Sequence, residues 1–221
     1  ISWNEQLPPN AFVIFRESRE EYTERLICRF DAVTSQLVLM EKRVEPVCGI
    51  MPLNEEQDMA LELLLDDAVS LVTLVGKAGT GKTLLAIAAG LKKVIEDKTF
   101  ARVLVTRPVI PMGKDIGFLP GAKDEKLSHW MQPLFDNLEF ISQVYKSSHF
   151  KSIDQLMNNK MIELEALSFI RGRSLPKQYI IIDEAQNLSP HEIKTIVSRA
   201  GEGSKVVLTG DPYQIDSPYL D

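Results

Sequence analysis

The stretch that most constrains this chain is Gly76-Lys77-Ala78-Gly79-Thr80-Gly81-Lys82-Thr83, directly behind the apolar run Leu71-Val72-Thr73-Leu74-Val75. After it comes Leu84-Leu85-Ala86-Ile87-Ala88-Ala89-Gly90-Leu91, a helix-forming and almost wholly apolar run. Strand, glycine-rich turn and a Lys-Thr pair opening a helix together supply the context that a phosphate-binding P-loop needs. Glycines let the backbone curl so that successive N–H groups point inward, and the helix N-terminus adds partial positive charge. In that geometry residues 76–83 cradle a nucleoside triphosphate. Lys82 reaches the β- and γ-phosphates, and Thr83 places its hydroxyl on Mg²⁺. A chance glycine-rich turn is the competing reading, and it leaves the strand and helix on either side unexplained.

A chain of 221 residues suits one α/β domain with a small appendage. It holds no run of about 18 apolar residues and no secretory opening pattern, so no membrane partner is expected. Cys28 and Cys48 lie in strand-like runs and lack a CxxC partner or neighbouring histidines. They read as buried reduced thiols, which fits the cytoplasm, with a disulfide between them as the alternative. The net charge of −6, from 25 basic and 31 acidic side chains, argues against a generally basic nucleic-acid binder but leaves room for a local basic face. A first residue Ile1 and an end at Asp221, soon after a motif, suggest a fragment of a longer protein.

Residues 1–10 read as an arm, followed by three alternating runs at Phe12–Arg16, Arg25–Phe30 and Gln36–Glu41 that predict a small antiparallel β unit. That unit, with its connector, makes residues 1–50 an N-terminal appendage, and residues 51–221 the main domain. Asn54 is a candidate helix N-cap with Gln57 three residues on, as in a capping box. Buried strands are expected at Arg102–Thr106, Tyr179–Asp183 and Lys205–Thr209, and a further strand at Ile162–Ala166. Helices are expected around Leu127–Ile141, Ile153–Met157 and Pro190–Ala200. The Gly- and Pro-rich residues 107–127 predict a long functional loop. Strands separated by helices imply a parallel sheet, with ligands gathered at the carboxyl ends of its strands.

Two further strand ends carry chemistry. Asp183 closes one strand and would hold Mg²⁺, while the adjacent Glu184 can polarise a water for attack on the γ-phosphate. Two such acids can also simply open a helix. Thr209-Gly210-Asp211-Pro212-Tyr213-Gln214 follows the last strand. There the Gln214 amide can touch both γ-phosphate and water, or the segment can be a plain polar turn.

With these residues in view, Gly76–Thr83, Asp183-Glu184-Ala185-Gln186 and Gly210–Gln214 resemble motifs I, II and III of superfamily-1 helicases. Thr106-Arg107-Pro108, Gly117-Phe118-Leu119-Pro120-Gly121, Ile170-Arg171-Gly172-Arg173 and Thr209–Gln214 are similar to the PhoH family of ATPases, over roughly residues 50–221. Residues 11–50 resemble the connector of members that carry an N-terminal PIN ribonuclease domain. The resemblance implies a single RecA-like P-loop domain with a central, mainly parallel sheet. It also implies ATP with Mg²⁺ as ligands, and hydrolysis to ADP and phosphate coupled to RNA unwinding or translocation.

By the same resemblance Gln57 reads adenine (its alternative being the capping box), Glu184 is the base and Gln214 the γ-phosphate sensor. The second RecA-like half of full helicases, which supplies arginines, is missing here. A finger from another subunit is therefore implied, in a homo-oligomeric ring of six, with Arg199 the first candidate and Arg171 and Arg173 behind it. Surface salt bridges are the default alternative for all three. Single-stranded RNA would meet Arg107, Lys114, Lys123 and Lys126, with Phe118 and Trp130 nearby for stacking. Alternatively, those charges are merely solvated; His129 and Trp130 read as packing residues. Two rival functions remain open at this level: an ATP-gated assembly module, and a small-molecule P-loop kinase.

Overall fold

The computed structural model describes residues 7–18, 23–108, 123–145, 152–167, 170 and 172–216. Two units divide the chain, one up to Glu45 and one from Pro46. In the first, the period-two pattern becomes an antiparallel meander of β1 (Phe12–Ser18), β2 (Thr23–Asp31) and β3 (Gln36–Leu39). Ile14 stands opposite Ile27, and Phe15 opposite Leu26. The Asp31 carboxylate fixes the second turn by accepting from the Thr34 hydroxyl at 2.7 Å and the Val33 N–H at 2.9 Å.

The second unit begins with a bridge between Val47 and Ile50, both buried with Cys48 in its core. Cys48 therefore lies in a tight turn, at φ 45, rather than in a strand. Burial pushes its thiol up to about 12. Both cysteines are free thiols, and Cys28 is only half-buried.

Next come α1 (Glu55–Leu65), β4 (Leu71–Val75), α2 (Lys82–Ile95), β5 (Arg102–Arg107), α3 (Lys123–Val144), α4 (Ile153–Asn158) and β6 (Ile162–Ala166). The chain continues through β7 (Gln178–Ile182), α5 (Pro190–Val197) and β8 (Lys205–Gly210). The five strands of this unit are all parallel, in the order β4-β8-β7-β5-β6. This is the RecA-like sheet expected from the sequence. Strand ends fall within two residues of expectation, whereas two helices, α3 and α5, depart by three residues or more. Helix α3 starts at Lys123, because Asp124 and Glu125 suit a first helical turn. Helix α5 stops at Val197, because the following N–H groups of Arg199 and Ala200 bond three residues back, tightening the chain out of α geometry.

Residues alternate between two cores, one on each face of the sheet. Val103, Val105, Tyr179, Ile181 and Val207 join α1, α2, α3 and α4 on one side. Leu104, Ile180, Ile182, Val206 and Leu208 join Leu188 and Ile196 on the other. Strands buried on both faces explain their near-continuous apolar runs. Helix α1 carries no basic residue in its last turn. The buried Lys205 of β8 supplies one, donating to the Leu63 and Asp66 carbonyls at 2.7 Å each.

Helix α2 holds the cradle against the sheet, and Gly90 sets how closely it lies. A Cβ at Gly90 would sit 2.9 Å from a Tyr179 ring carbon and 3.1 Å from a Val103 methyl. Tyr179 cannot easily yield, since its hydroxyl donates to the Leu64 carbonyl at 3.2 Å and Phe100 packs edge-on at 5.4 Å. Gly90→Ala should therefore lower stability by about 1–3 kcal/mol despite the better helix propensity of alanine. Denaturant unfolding measures this, and an unchanged or raised midpoint would contradict the packing.

Candidate active site

Strand order brings distant motifs together. Because β4, β8 and β7 are neighbours, the loops after their carboxyl ends lie side by side, and β5 adds its own end next to β7. Those loops are 76–81, 183–189 and 211–216, with Arg107 at the end of β5. A cleft of about 340 Å³ opens among them, lined by residues of the cradle together with Asp183, Glu184, Asp211 and Gln214.

Within the cradle Gly79 and Gly81 take left-handed φ values of 75 and 81, which side-chain-bearing residues rarely adopt. Gly81 caps α2 without a side-chain hydrogen bond, so the first N–H groups of the helix are available to an anion. The Lys82 ammonium arches back over the loop, donating to the Gly76 carbonyl at 2.7 Å and the Lys77 carbonyl at 2.9 Å. Thr80 braces the turn by donating to the Lys77 carbonyl at 2.9 Å. Ala78 donates its N–H to the Asp211 carboxylate at 3.1 Å, and Gly76 donates to the Gly210 carbonyl at 3.2 Å. The cradle is thus tied to the end of β8.

Across the cleft, Asp183 is 6% exposed, and one of its oxygens accepts from both Thr83 and Thr209 at 2.7 Å. A threonine hydroxyl and a carboxylate are the hard oxygen donors that Mg²⁺ takes alongside phosphates. No cluster of three or more His, Cys, Asp or Glu able to hold a metal occurs among the described residues. Glu184 stands on left-handed backbone, φ 54 and ψ 40, a strain of about 1–3 kcal/mol for a residue with a Cβ. Its two oxygens meet Arg107 Nη2 at 3.2 Å and Gln186 Nε2 at 2.5 Å.

The structure brings Lys82, Thr83, Asp183, Glu184 and Gln214 to this one cleft with Ala78, Gly79 and Gly81, while Gly76, Lys77 and Thr80 belong to the turn but are not among the residues lining it. Gln57 also lies against the cradle: its amide donates to the Thr80 carbonyl at 3.2 Å, and its oxygen accepts from Leu53 N–H at 2.7 Å. Asn54 caps α1 by accepting from Gln57 N–H at 2.9 Å, but the reciprocal half of a capping box goes to Leu53 instead of Asn54.

Arg107 lies beside the acidic pair, its Nε 4.0 Å from Asp183. Arg173 pairs with Glu165 of β6 at 2.8 Å. Arg199 sits beside Leu175, whose N–H bonds to its carbonyl, near the amino ends of β7 and β8 and so at the opposite end of the sheet from the cradle. Lys114, Phe118 and Arg171, with the side chains of Lys123, Lys126, His129 and Trp130, lie outside the described residues. Sequence reasoning had not assigned roles to Thr209, Asp211, Gln186 or Asn137. The first three stood inside quoted motifs; Asn137, which faces the cleft from α3, carried no signal.

Residues 49–220 match the PhoH-like protein family. The chain belongs to the PhoH family. Among PhoH relatives, Protein PhoH2 of Bacillus subtilis is 58% identical over 177 residues, covering 80% of this chain and 40% of that protein. Protein PhoH2 of Mycolicibacterium smegmatis is 44% identical over 172 residues, covering 77% of this chain and 38% of that one. This PhoH chain thus spans about two fifths of the length of the curated relatives it matches. Among solved structures, the Sulfolobus solfataricus SWI2/SNF2 ATPase core in complex with dsDNA aligns at 18% identity and TM-score 0.49, covering 78% of this chain and 35% of that one.

Asp211 ties the cradle to the segment after β8, accepting from Ala78 on one oxygen and from Tyr213 N–H at 3.0 Å on the other. In Asp211→Asn one of these N–H groups would face an amide NH₂. Nucleotide affinity should fall about tenfold, as for loss of one hydrogen bond to a charged acceptor. Calorimetric titration with a non-hydrolysable ATP analogue reads this, and an unchanged Kd would remove Asp211 from the cradle's support.

Proposed function

We propose that this domain hydrolyses ATP to ADP and phosphate and that RNA is the ligand coupled to that cycle. The observation that carries the reading is the meeting of Lys82, Thr83, Asp183 and Glu184 across one cleft. ATP enters with its phosphates on the N–H groups of residues 79–83, and Lys82 balances charge at the β- and γ-phosphates. Gln57 faces the adenine edge. Thr83 and Asp183 would hold Mg²⁺, which when bound neutralises phosphate charge. Glu184 takes a proton from water as its oxygen attacks the γ-phosphorus, and the bond to the departing ADP oxygen breaks. Asp183 suits this base role poorly, because one oxygen already serves two hydroxyls and the residue is buried. Gln214, an exposed residue lining the cleft, would sense the γ-phosphate.

RNA as partner is supported by the basic residues Lys114, Lys123 and Lys126 next to the carboxyl end of β5 in sequence; single strands, translocation or unwinding, and a PIN nuclease in the longer protein, belong to the same proposal. The deciding experiment is steady-state ATP turnover with and without single-stranded RNA. Glu184→Gln should lose at least ~100-fold in kcat while still binding ATP, and Lys82→Ala should be inactive. RNA should raise wild-type turnover. Activity in Glu184→Gln, or indifference to RNA, would refute the corresponding half.

A homo-oligomeric ring is part of the same proposal. Arg173 is engaged by Glu165, and Arg199 is not among the described residues that line the cleft. On this reading the cation for the transition state comes from a neighbouring subunit, with Arg199 in that role in a ring of six. Arg199→Ala should abolish turnover alone but regain part of it when mixed with Glu184→Gln subunits, since each supplies what the other lacks. Wild-type turnover in Arg199→Ala, or no recovery on mixing, would exclude it.

A further inference from the structure

Glu184 is gripped from outside the cleft. Arg107 Nη2 donates to one carboxylate oxygen at 3.2 Å, and Gln186 Nε2 donates to the other at 2.5 Å. Neither Arg107 nor Gln186 is among the described residues that line the cleft, whereas Glu184 is.

Gln186 is itself locked. The same amide nitrogen donates to the Gln214 carbonyl at 3.0 Å, while its oxygen accepts from Asp211 N–H at 3.2 Å. Only one orientation of the amide satisfies all three contacts, because a flip would set an NH₂ against an N–H and an oxygen against a carboxylate. Arg107 comes from a different strand, β5, and its guanidinium also faces Asp183 at 4.0 Å, with only 17% of its side chain exposed.

We infer that Arg107 and Gln186 are positioning residues for Glu184, fixing the plane of its carboxylate by one donor on each oxygen. This assignment rests on Glu184 acting as the base. It moves Arg107 from a nucleic-acid contact to the support of the water-activating acid. It also makes Gln186 the link through which the segment after β8, tied to the cradle by Asp211, sets the pose of that acid. A base held this way needs no rearrangement as water approaches, and loss of either donor lets the carboxylate rotate away.

The test is steady-state ATP hydrolysis by the full chain carrying Arg107→Ala, Arg107→Lys, Gln186→Ala and Glu184→Gln, each checked for ATP-analogue binding. Arg107→Ala and Gln186→Ala should each lower kcat about 10–100-fold, as for other supporting partners of a functional group. KM for ATP should stay within about twofold. Arg107→Lys, which keeps a cation, should recover part of the loss. Added to Glu184→Gln, either alanine change should have no further effect on residual turnover, because groups acting through one residue are not additive. Wild-type kcat in Arg107→Ala together with weakened RNA binding would overturn the inference in favour of a nucleic-acid contact. A raised KM at unchanged kcat, or a full additional loss in the Glu184→Gln background, would also overturn it. Wild-type turnover in Glu184→Gln alone would refute the base assignment itself; an inactive Glu184→Gln beside an unaffected Arg107→Ala would refute the positioning role alone.

Discussion

The Asp183 carboxylate is where three elements meet. One of its oxygens accepts from Thr83 at the start of α2 and from Thr209 near the end of β8, while its own N–H bonds back to Thr106 of β5. A buried acid is tolerated only when its hydrogen-bonding capacity is met, and here the partners come from segments far apart in sequence. They meet because the sheet runs β4-β8-β7-β5-β6. Separating β7 from β8 would take the Thr209 hydroxyl away from Asp183. The cleft is therefore a consequence of topology as much as of motif.

From that point a line of polar contacts extends through the site. Ala78 N–H meets Asp211, the Asp211 N–H meets Gln186, and Gln186 and Arg107 meet Glu184. Cradle and acid are physically continuous, so a shift in one has a route to the other. The left-handed backbone of Glu184 fits the same picture: a strained residue persists where its surroundings over-determine it.

Much of this was legible before the fold was known, for local reasons. The cradle, the Asp183-Glu184 pair and the segment after Thr209 each carry their signal within a few residues of a buried strand. The parallel sheet followed from alternating apolar runs and helical patterns. What escaped was set by nonlocal neighbours. Arg107 read as a phosphate contact because its sequence neighbourhood is a Gly- and Pro-rich stretch; only the adjacency of β5 to β7 places it beside Glu184. Gln186 looked like motif filler, since its three partners lie on two loops. Gln57 was ambiguous because one amide suits both a helix cap and a contact to the cradle, and its side chain makes the second while skipping the Asn54 half of the first. Cys48 read as part of a strand-like run, yet the bridge between Val47 and Ile50 folds it into a turn.

The most direct measurement is a crystal structure of the chain with Mg²⁺ and a non-hydrolysable ATP analogue. The triphosphate should lie on the N–H groups of residues 79–83 with Lys82 beside it, and the Glu184 carboxylate, still held by Arg107 and Gln186, should face the terminal phosphorus with room for one water between. A nucleotide bound elsewhere, or a Glu184 turned away from the terminal phosphate while its two donors stay in place, would contradict it.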